Sequence, residues 1–314
     1  MLKRPDYYLY RLLEALFGAS AASAFIRVSS AKLLDIPRLR AVADSNFRRV
    51  HAFTRGRAPG AEETAAFRAE MAALIAAELL STFALLRNPG RGPVPADPEL
   101  MPAIEALRRE GRGVVLATPH FGDCKMLFLG LGRAGLPLHV MINAVQPAMR
   151  AVTAAQPNLR FTDFSTGARY YLDALARNEL VLLLTDMDYF PGGRTLDFFG
   201  APCNPPHGPA RLALAAGAPV LPVYAVRSGE RHRLLCDSPI LVAGADQEDV
   251  EKRILRSMEK FIGRHPSHWL VYHDPWDLEA CARETRRQLR QLHLRRSLTS
   301  FWQRLTKRSP RERI

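Results

Sequence analysis

Four short apolar runs, at residues 114–118, 138–142, 180–185 and 220–226, alternate with helical patterns near 98–110, 167–177 and 208–216. Apolar runs of strand length separated by helix-length segments build a parallel sheet whose strands are buried on both faces beneath helices. The sequence therefore predicts an α/β fold with a largely parallel central sheet flanked by helices. Its strands end in polar residues, at Pro119-His120, at Asp186-Met187-Asp188 and at Arg227. Ligands of open α/β sheets bind beyond the carboxyl ends of the strands, so the functional site is expected there.

The region before this alternation reads as helical. Residues 7–28 are apolar over a membrane-spanning length but are interrupted by Arg11 and Glu14. Such charges are costly at the centre of a bilayer, which favours an interfacial or membrane-dipping helix over a clean span. An ordinary amphipathic helix packed on the domain fits the same residues. Residues 61–86 are alanine-rich with helical spacing, and the turn-rich stretch from Asn88 to Pro95 ends that region near Arg87. Three regions follow: a helical, membrane-associating segment over 1–87, an α/β domain over 88–280, and a basic amphipathic tail over 281–314.

The net charge of +13 is concentrated in that tail, where eleven Lys and Arg between positions 283 and 314 face Glu284 and Glu312. Leu289, Leu292, Leu298, Phe301, Trp302 and Leu305 interleave with them. A basic segment with apolar residues at helical spacing suits an anionic membrane surface better than nucleic acid. No nucleic-acid partner is expected. The four cysteines form no CxxC pair and no metal-ligand spacing, and the opening residues lack a cleavable signal pattern, so a reducing, cytoplasmic environment is expected. Asp186 and Asp188 without further clustered ligands are too few for a divalent ion, and no metal is expected.

His120 follows the apolar run 114–118 and precedes Phe121-Gly122-Asp123, so it projects from a strand-to-helix turn. A neutral imidazole at such an edge suits general-base work near pH 7, provided a carboxylate orients it. Asp123 is the expected carboxylate, because side chains three residues apart approach when a helix begins at the turn. The other reading of Asp123 is an early-helix acid favoured by the helix dipole. If the strand at 180–185 continues, Asp186 and Asp188 point to opposite faces, and Asp188 is the one expected in the site, with the reverse assignment open. Cys124 lies four residues after His120, but no nucleophile motif surrounds it.

The block from Ala117 to Lys125, Ala-Thr-Pro-His-Phe-Gly-Asp-Cys-Lys, resembles the His-x4-acid block of the late lipid A acyltransferases, which are lauroyl and myristoyl transferases of the lysophospholipid acyltransferase superfamily. Residues 185–202, with Asp186-Met187-Asp188 and Phe198-Phe199-Gly200, resemble another block of that family, and residues 207–220 continue it. Similar segments at 222–227 and 264–276 extend the resemblance over roughly 45–276. It implies a glycerol-3-phosphate acyltransferase-like fold and an acyltransferase acting from acyl carrier protein or coenzyme A thioesters on a lipid hydroxyl. No bound cofactor is implied. The partners implied are acyl carrier protein, a lipid A-like, glycolipid or lysophospholipid acceptor, and the cytoplasmic face of the cell inner membrane. His120 and Asp123 are the expected catalytic residues, and Gly122, Asp188, Arg194 and Arg211 the expected substrate contacts.

Two positions depart from the family pattern. Lys125 stands where the acid is expected, and Ile142 lies near the place of a family arginine. A lysine cannot accept the imidazole N–H. Two readings follow: an acyltransferase with His120 as base, or a lipid-binding relative that keeps the fold without the activity.

Overall fold

A computed structural model describes residues 5–88, 100–142, 147–163, 166–187, 194–229, 231–283, 285–287 and 290. Of the basic tail expected over 281–314, only the first residues fall within these. Three helices open the chain, α1 (Pro5–Leu33), α2 (Pro37–Arg55) and α3 (Ala61–Arg87). Pro37 starts α2 with its fixed φ, and Gly56 ends it at φ 69°, the left-handed conformation that favours glycine. The α/β part follows as α4 (Leu100–Arg108), β1 (Val114–Thr118), α5 (Lys125–Arg133), β2 (Leu138–Ile142), α6 (Pro147–Ala155), β3 (Leu159–Asp163), α7 (Ala168–Ala176) and β4 (Leu180–Leu184). After a small antiparallel pair, β5 (Leu196–Phe198) and β6 (Ala201–Cys203), come α8 (Gly208–Ala216), β7 (Val220–Ser228), β8 (Arg231–Cys236) and α9 (Gln247–Arg264).

The main sheet has the order β3-β2-β4-β1-β7-β8. Every neighbouring pair is parallel except β7 with β8. The expected α/β fold with a largely parallel sheet is therefore present, and the strands read from apolar runs are β1, β2, β4 and β7. β1 lies in the centre with every residue buried. Its alternate side chains serve opposite layers: Val115 and Ala117 join the core beneath α7, α8 and α9, while Val114 and Leu116 join the core beneath α4 and α5. The strands without a continuous apolar run, β3 and β8, are the two edges, where solvent on one side admits Arg160, Asp163 and Arg233.

The N-terminal helices pack on each other and on the end of the sheet. Tyr10, Ala22 and Ile26 of α1 meet Ala76 and Phe83 of α3. Arg11 and Glu14, the charges that interrupt the apolar stretch, pair at 2.6 Å, and Glu14 also pairs with Arg87 at the end of α3. The opposite side of α1 exposes Tyr8, Leu12, Leu16, Phe17, Phe25 and Val28. Both α1 and α3 are long and apolar enough to cross a membrane by length and composition, and α1 has a kink at Gly18.

Because β1 carries both cores, shortening one of its inward side chains leaves a cavity that the surrounding layers cannot close. Leu116→Ala is expected to lower the unfolding free energy by about 2–5 kcal/mol, measured by urea denaturation.

Candidate active site

β1 and β4 run side by side with Thr118 opposite Leu184, and the Thr185 N–H donates to the Thr118 carbonyl at 2.9 Å. Each chain then continues by two residues, to His120 and to Asp186, so the shared register sets these two side chains together. The His120 backbone N–H donates to Asp186 Oδ2 at 2.7 Å, and His120 Nδ1 lies 2.7 Å from Asp186 Oδ1. A carboxylate only accepts, so Nδ1 carries the proton and Nε2 is left with its lone pair in the neutral ring. Trp269 Nε1–H completes the set, donating to Asp186 Oδ2 at 3.0 Å.

The turn that presents His120 is pinned from a second direction. The Gly122 N–H donates to the His268 carbonyl at 2.6 Å and the Leu270 N–H donates to the His120 carbonyl at 2.8 Å. Gly122 has φ +56°, and a Cβ there would stand 2.0 Å from the Ala225 carbonyl oxygen. Only glycine allows β7 to approach this closely while the backbone turns left-handed.

Exposure divides the pair by role. The Asp186 side chain is 1% exposed and that of His120 is 31% exposed. Burial alone would lower the His120 pKa, but the charge and hydrogen bond of Asp186 outweigh it, and the value is raised. Burial alone would raise the Asp186 pKa, and the charge and hydrogen bonds of His120 instead hold it below the ordinary carboxylate range. Both residues line a cavity of about 900 Å³ whose walls include Gly122, Cys124, Glu78 and Tyr272. The Cys124 thiol is pushed up to about 12, chiefly by burial, and is therefore protonated at neutral pH.

Of the residues expected from sequence, His120 and Gly122 line this cavity. Asp123 does not orient His120. The helix begins only at Lys125, with left-handed Gly122 in between, so residues 120–123 form no helical turn that would bring their side chains together. The Asp123 carboxylate points the other way, accepting from Ser81 Oγ on α3 and pairing with Lys125 Nζ at 2.9 Å. Asp188 lies outside the described residues, and it is Asp186 that reaches the imidazole. Arg194 and Arg211 are exposed against the start of α9, Arg194 paired with Glu248 at 2.6 Å and Arg211 bonded to Gln247 at 3.4 Å. Neither is among the residues that line the cavity.

Lys125 is only 17% exposed and pairs with Glu78 and Asp123, both at 2.9 Å. Burial would depress its pKa, but the two carboxylates outweigh it, so the ammonium is held charged. Ile142 is half-buried and packs against the core under α4 and α5. Among the described residues no three His, Cys, Asp or Glu side chains converge as metal ligands.

The model of the family described as bacterial lipid A biosynthesis acyltransferase matches residues 99–277. A phosphatidylinositol mannoside acyltransferase of Mycobacterium tuberculosis (strain H37Rv) is 26% identical over 190 residues, covering 56% of this chain and 58% of that protein. Its counterpart in Mycolicibacterium smegmatis is 25% identical over 169 residues, covering 51% and 56%. That of Mycobacterium tuberculosis (strain CDC 1551 / Oshkosh) is 28% identical over 118 residues, covering 38% and 37%. The matched stretches thus span between about a third and three fifths of these relatives.

The pairing makes a titration prediction. The His120 ring is expected to titrate above the ordinary value of 6.5, and Asp186→Asn to bring that midpoint down, as followed by NMR of the histidine ring. The sign carries over to stability: the contribution of His120 is complete below 6.5 and is lost as pH rises through its raised folded value.

Proposed function

Because the chain belongs to the bacterial lipid A biosynthesis acyltransferase family, we propose that it moves a fatty acyl group from a carrier thioester to a lipid hydroxyl, with His120 as general base and Asp186 as the residue that positions it. The observation that carries this reading is the His120–Asp186 pair, with a 2.7 Å bond at Nδ1 and the ring on the cavity wall. Nε2 takes the proton of the acceptor hydroxyl as its oxygen attacks the thioester carbonyl carbon. The carbon–sulfur bond then breaks, and the imidazolium returns the proton to the departing thiolate. Asp186 stabilises the imidazolium between these events and fixes the ring tautomer, roles worth about 10²–10⁴ in rate for a positioned base. Transfer is direct in this reading, since no nucleophile motif surrounds Cys124.

The donor is acyl carrier protein or coenzyme A thioester. The acceptor is a membrane lipid with a sugar or polyol head group, a choice supported by the lipid A of the family and by the phosphatidylinositol mannoside in the names of the relatives. The apolar outer side of α1 and the basic residues after 282 support docking on the cytoplasmic face of an anionic inner membrane. That brings an insoluble acceptor to the sheet edge.

Detergent-purified protein is to be incubated with acyl carrier protein and coenzyme A thioesters and a bacterial lipid extract, with products followed by mass spectrometry. An acylated lipid that falls by at least about a hundredfold with His120→Ala or Asp186→Asn is the expected result. Lipid binding without any product would instead assign the chain to a non-catalytic relative that keeps the fold.

A further inference from the structure

Two stretches singled out in the sequence, Phe198-Phe199-Gly200 and residues 264–276, meet at the indole of Trp269. That residue acts on both halves of the His120–Asp186 pair. Its backbone bridges Phe121 in antiparallel register, flanked by the bonds from the Gly122 N–H to the His268 carbonyl at 2.6 Å and from the Leu270 N–H to the His120 carbonyl at 2.8 Å. Its side chain is buried and donates from Nε1 to Asp186 Oδ2 at 3.0 Å, the oxygen that also takes the His120 backbone N–H.

The indole sits in an aromatic socket. Phe198 meets it edge-to-face at 5.7 Å and 89°, Trp276 meets it at 6.0 Å and 79°, and Phe198 stacks on Trp276 at 5.9 Å. Rings packed in this way fix orientation as well as burying area. The hairpin that delivers Phe198 is itself held. Phe199 has φ 51°, a left-handed conformation uncommon for a bulky residue. Its N–H donates to Glu259 Oε1 of α9 at 2.6 Å, and Trp276 Nε1 donates to the Phe198 carbonyl at 2.8 Å. Such a backbone persists only where its surroundings hold it, and here they hold it beside a single N–H donor.

A neutral N–H donor on one carboxylate oxygen offsets part of the charge, so an imidazole on the other oxygen releases its proton more readily. Building on the acyl-transfer reading above, we infer that Trp269 is a positioning residue of the base. Its indole holds Asp186 Oδ2 so that Oδ1 faces His120 Nδ1, and draws off enough carboxylate charge to keep the imidazole available near neutral pH. Phe198, the turn after it and Trp276 keep the indole in place. Among the described residues, the other groups whose charge reaches the pair are Glu78 of α3, which favours the imidazolium, and His273, whose own protonation is disfavoured chiefly by burial. A change at Trp269 leaves both unaltered.

The test follows the His120 ring by NMR against pH, together with kcat and KM against pH on acyl carrier protein and coenzyme A thioesters with a bacterial lipid extract. Wild type is compared with Trp269→Phe, Phe198→Leu and a protein carrying 3-benzothienylalanine at position 269. That analogue keeps the shape of tryptophan and replaces the N–H by sulfur, so it separates the donor from the packing and decides the matter if Trp269→Phe does not fold. Both changes at position 269 are expected to raise the His120 midpoint by about one pH unit and to lower kcat by up to about tenfold near neutral pH, with recovery at higher pH. KM is expected to stay unchanged, since Trp269 is not among the residues that line the cavity. Phe198→Leu is expected to move the midpoint the same way by less. A lowered Tm with an unchanged midpoint would assign Trp269 to packing alone and overturn the inference, as would a midpoint that falls. Absence of any His120-dependent turnover in wild type removes the acyl-transfer reading and the inference with it, whereas intact turnover with an unshifted midpoint removes the inference alone.

Discussion

The carboxylate of Asp186 is the most demanding group in the molecule. It is almost wholly removed from water, and it keeps its charge because three N–H donors converge on it, from the His120 backbone, the His120 ring and the Trp269 indole. Desolvating an ion costs several kcal/mol unless its lone pairs are met, so these donors have to be held in place by the fold. The β1–β4 register supplies two of them and the segment that crosses behind the turn supplies the third. Gly122 belongs to the same requirement, since the turn closes only where β7 approaches without a side chain in the way.

Viewed from that carboxylate, the lysine at position 125 is no defect in the dyad. What the imidazole needs is an acceptor within hydrogen-bond reach of Nδ1, and the strand from which it comes is immaterial. With Asp186 in that role, the position five residues after His120 is released for another purpose, and Lys125 uses it to tie α5 to α3. A motif describes residues along the chain, whereas the chemistry depends on distances across it.

The central strands were legible because burial on both faces demands continuous apolar runs, which β1 and β4 show without interruption. β3 and β8 were not, because an edge strand tolerates charge on its open side and so loses that signature. α9 has a local signature of its own: Asp246 caps the Asp249 N–H, acids fill the first turn, and Val250, Ile254, Met258 and Phe261 recur at helical spacing. His120 was legible from its place after a strand. Asp186 was harder, since choosing it over Asp188 requires knowing the register of β4 against β1. Once Thr118 is set opposite Leu184, the equal two-residue offsets of His120 and Asp186 decide the matter. The pairing of Glu78 with Lys125 joins residues 47 apart, and no local pattern announces it.

One helix joins the two ends of this design. α3 holds Arg87, which grips Glu14 of the outward-facing α1, and also Glu78, which enters the cavity wall. Nine residues of helix separate them, a rod of about 14 Å. Between them, Phe83 is clasped by the Tyr7 and Tyr10 rings at 5.6 and 5.0 Å, so α1 and α3 have little freedom to slide past each other. Deleting α1 would therefore bare the apolar side of α3 around Ala76 and Phe83 and take away the partner of Arg87, on the same helix that carries Glu78 into the cavity wall.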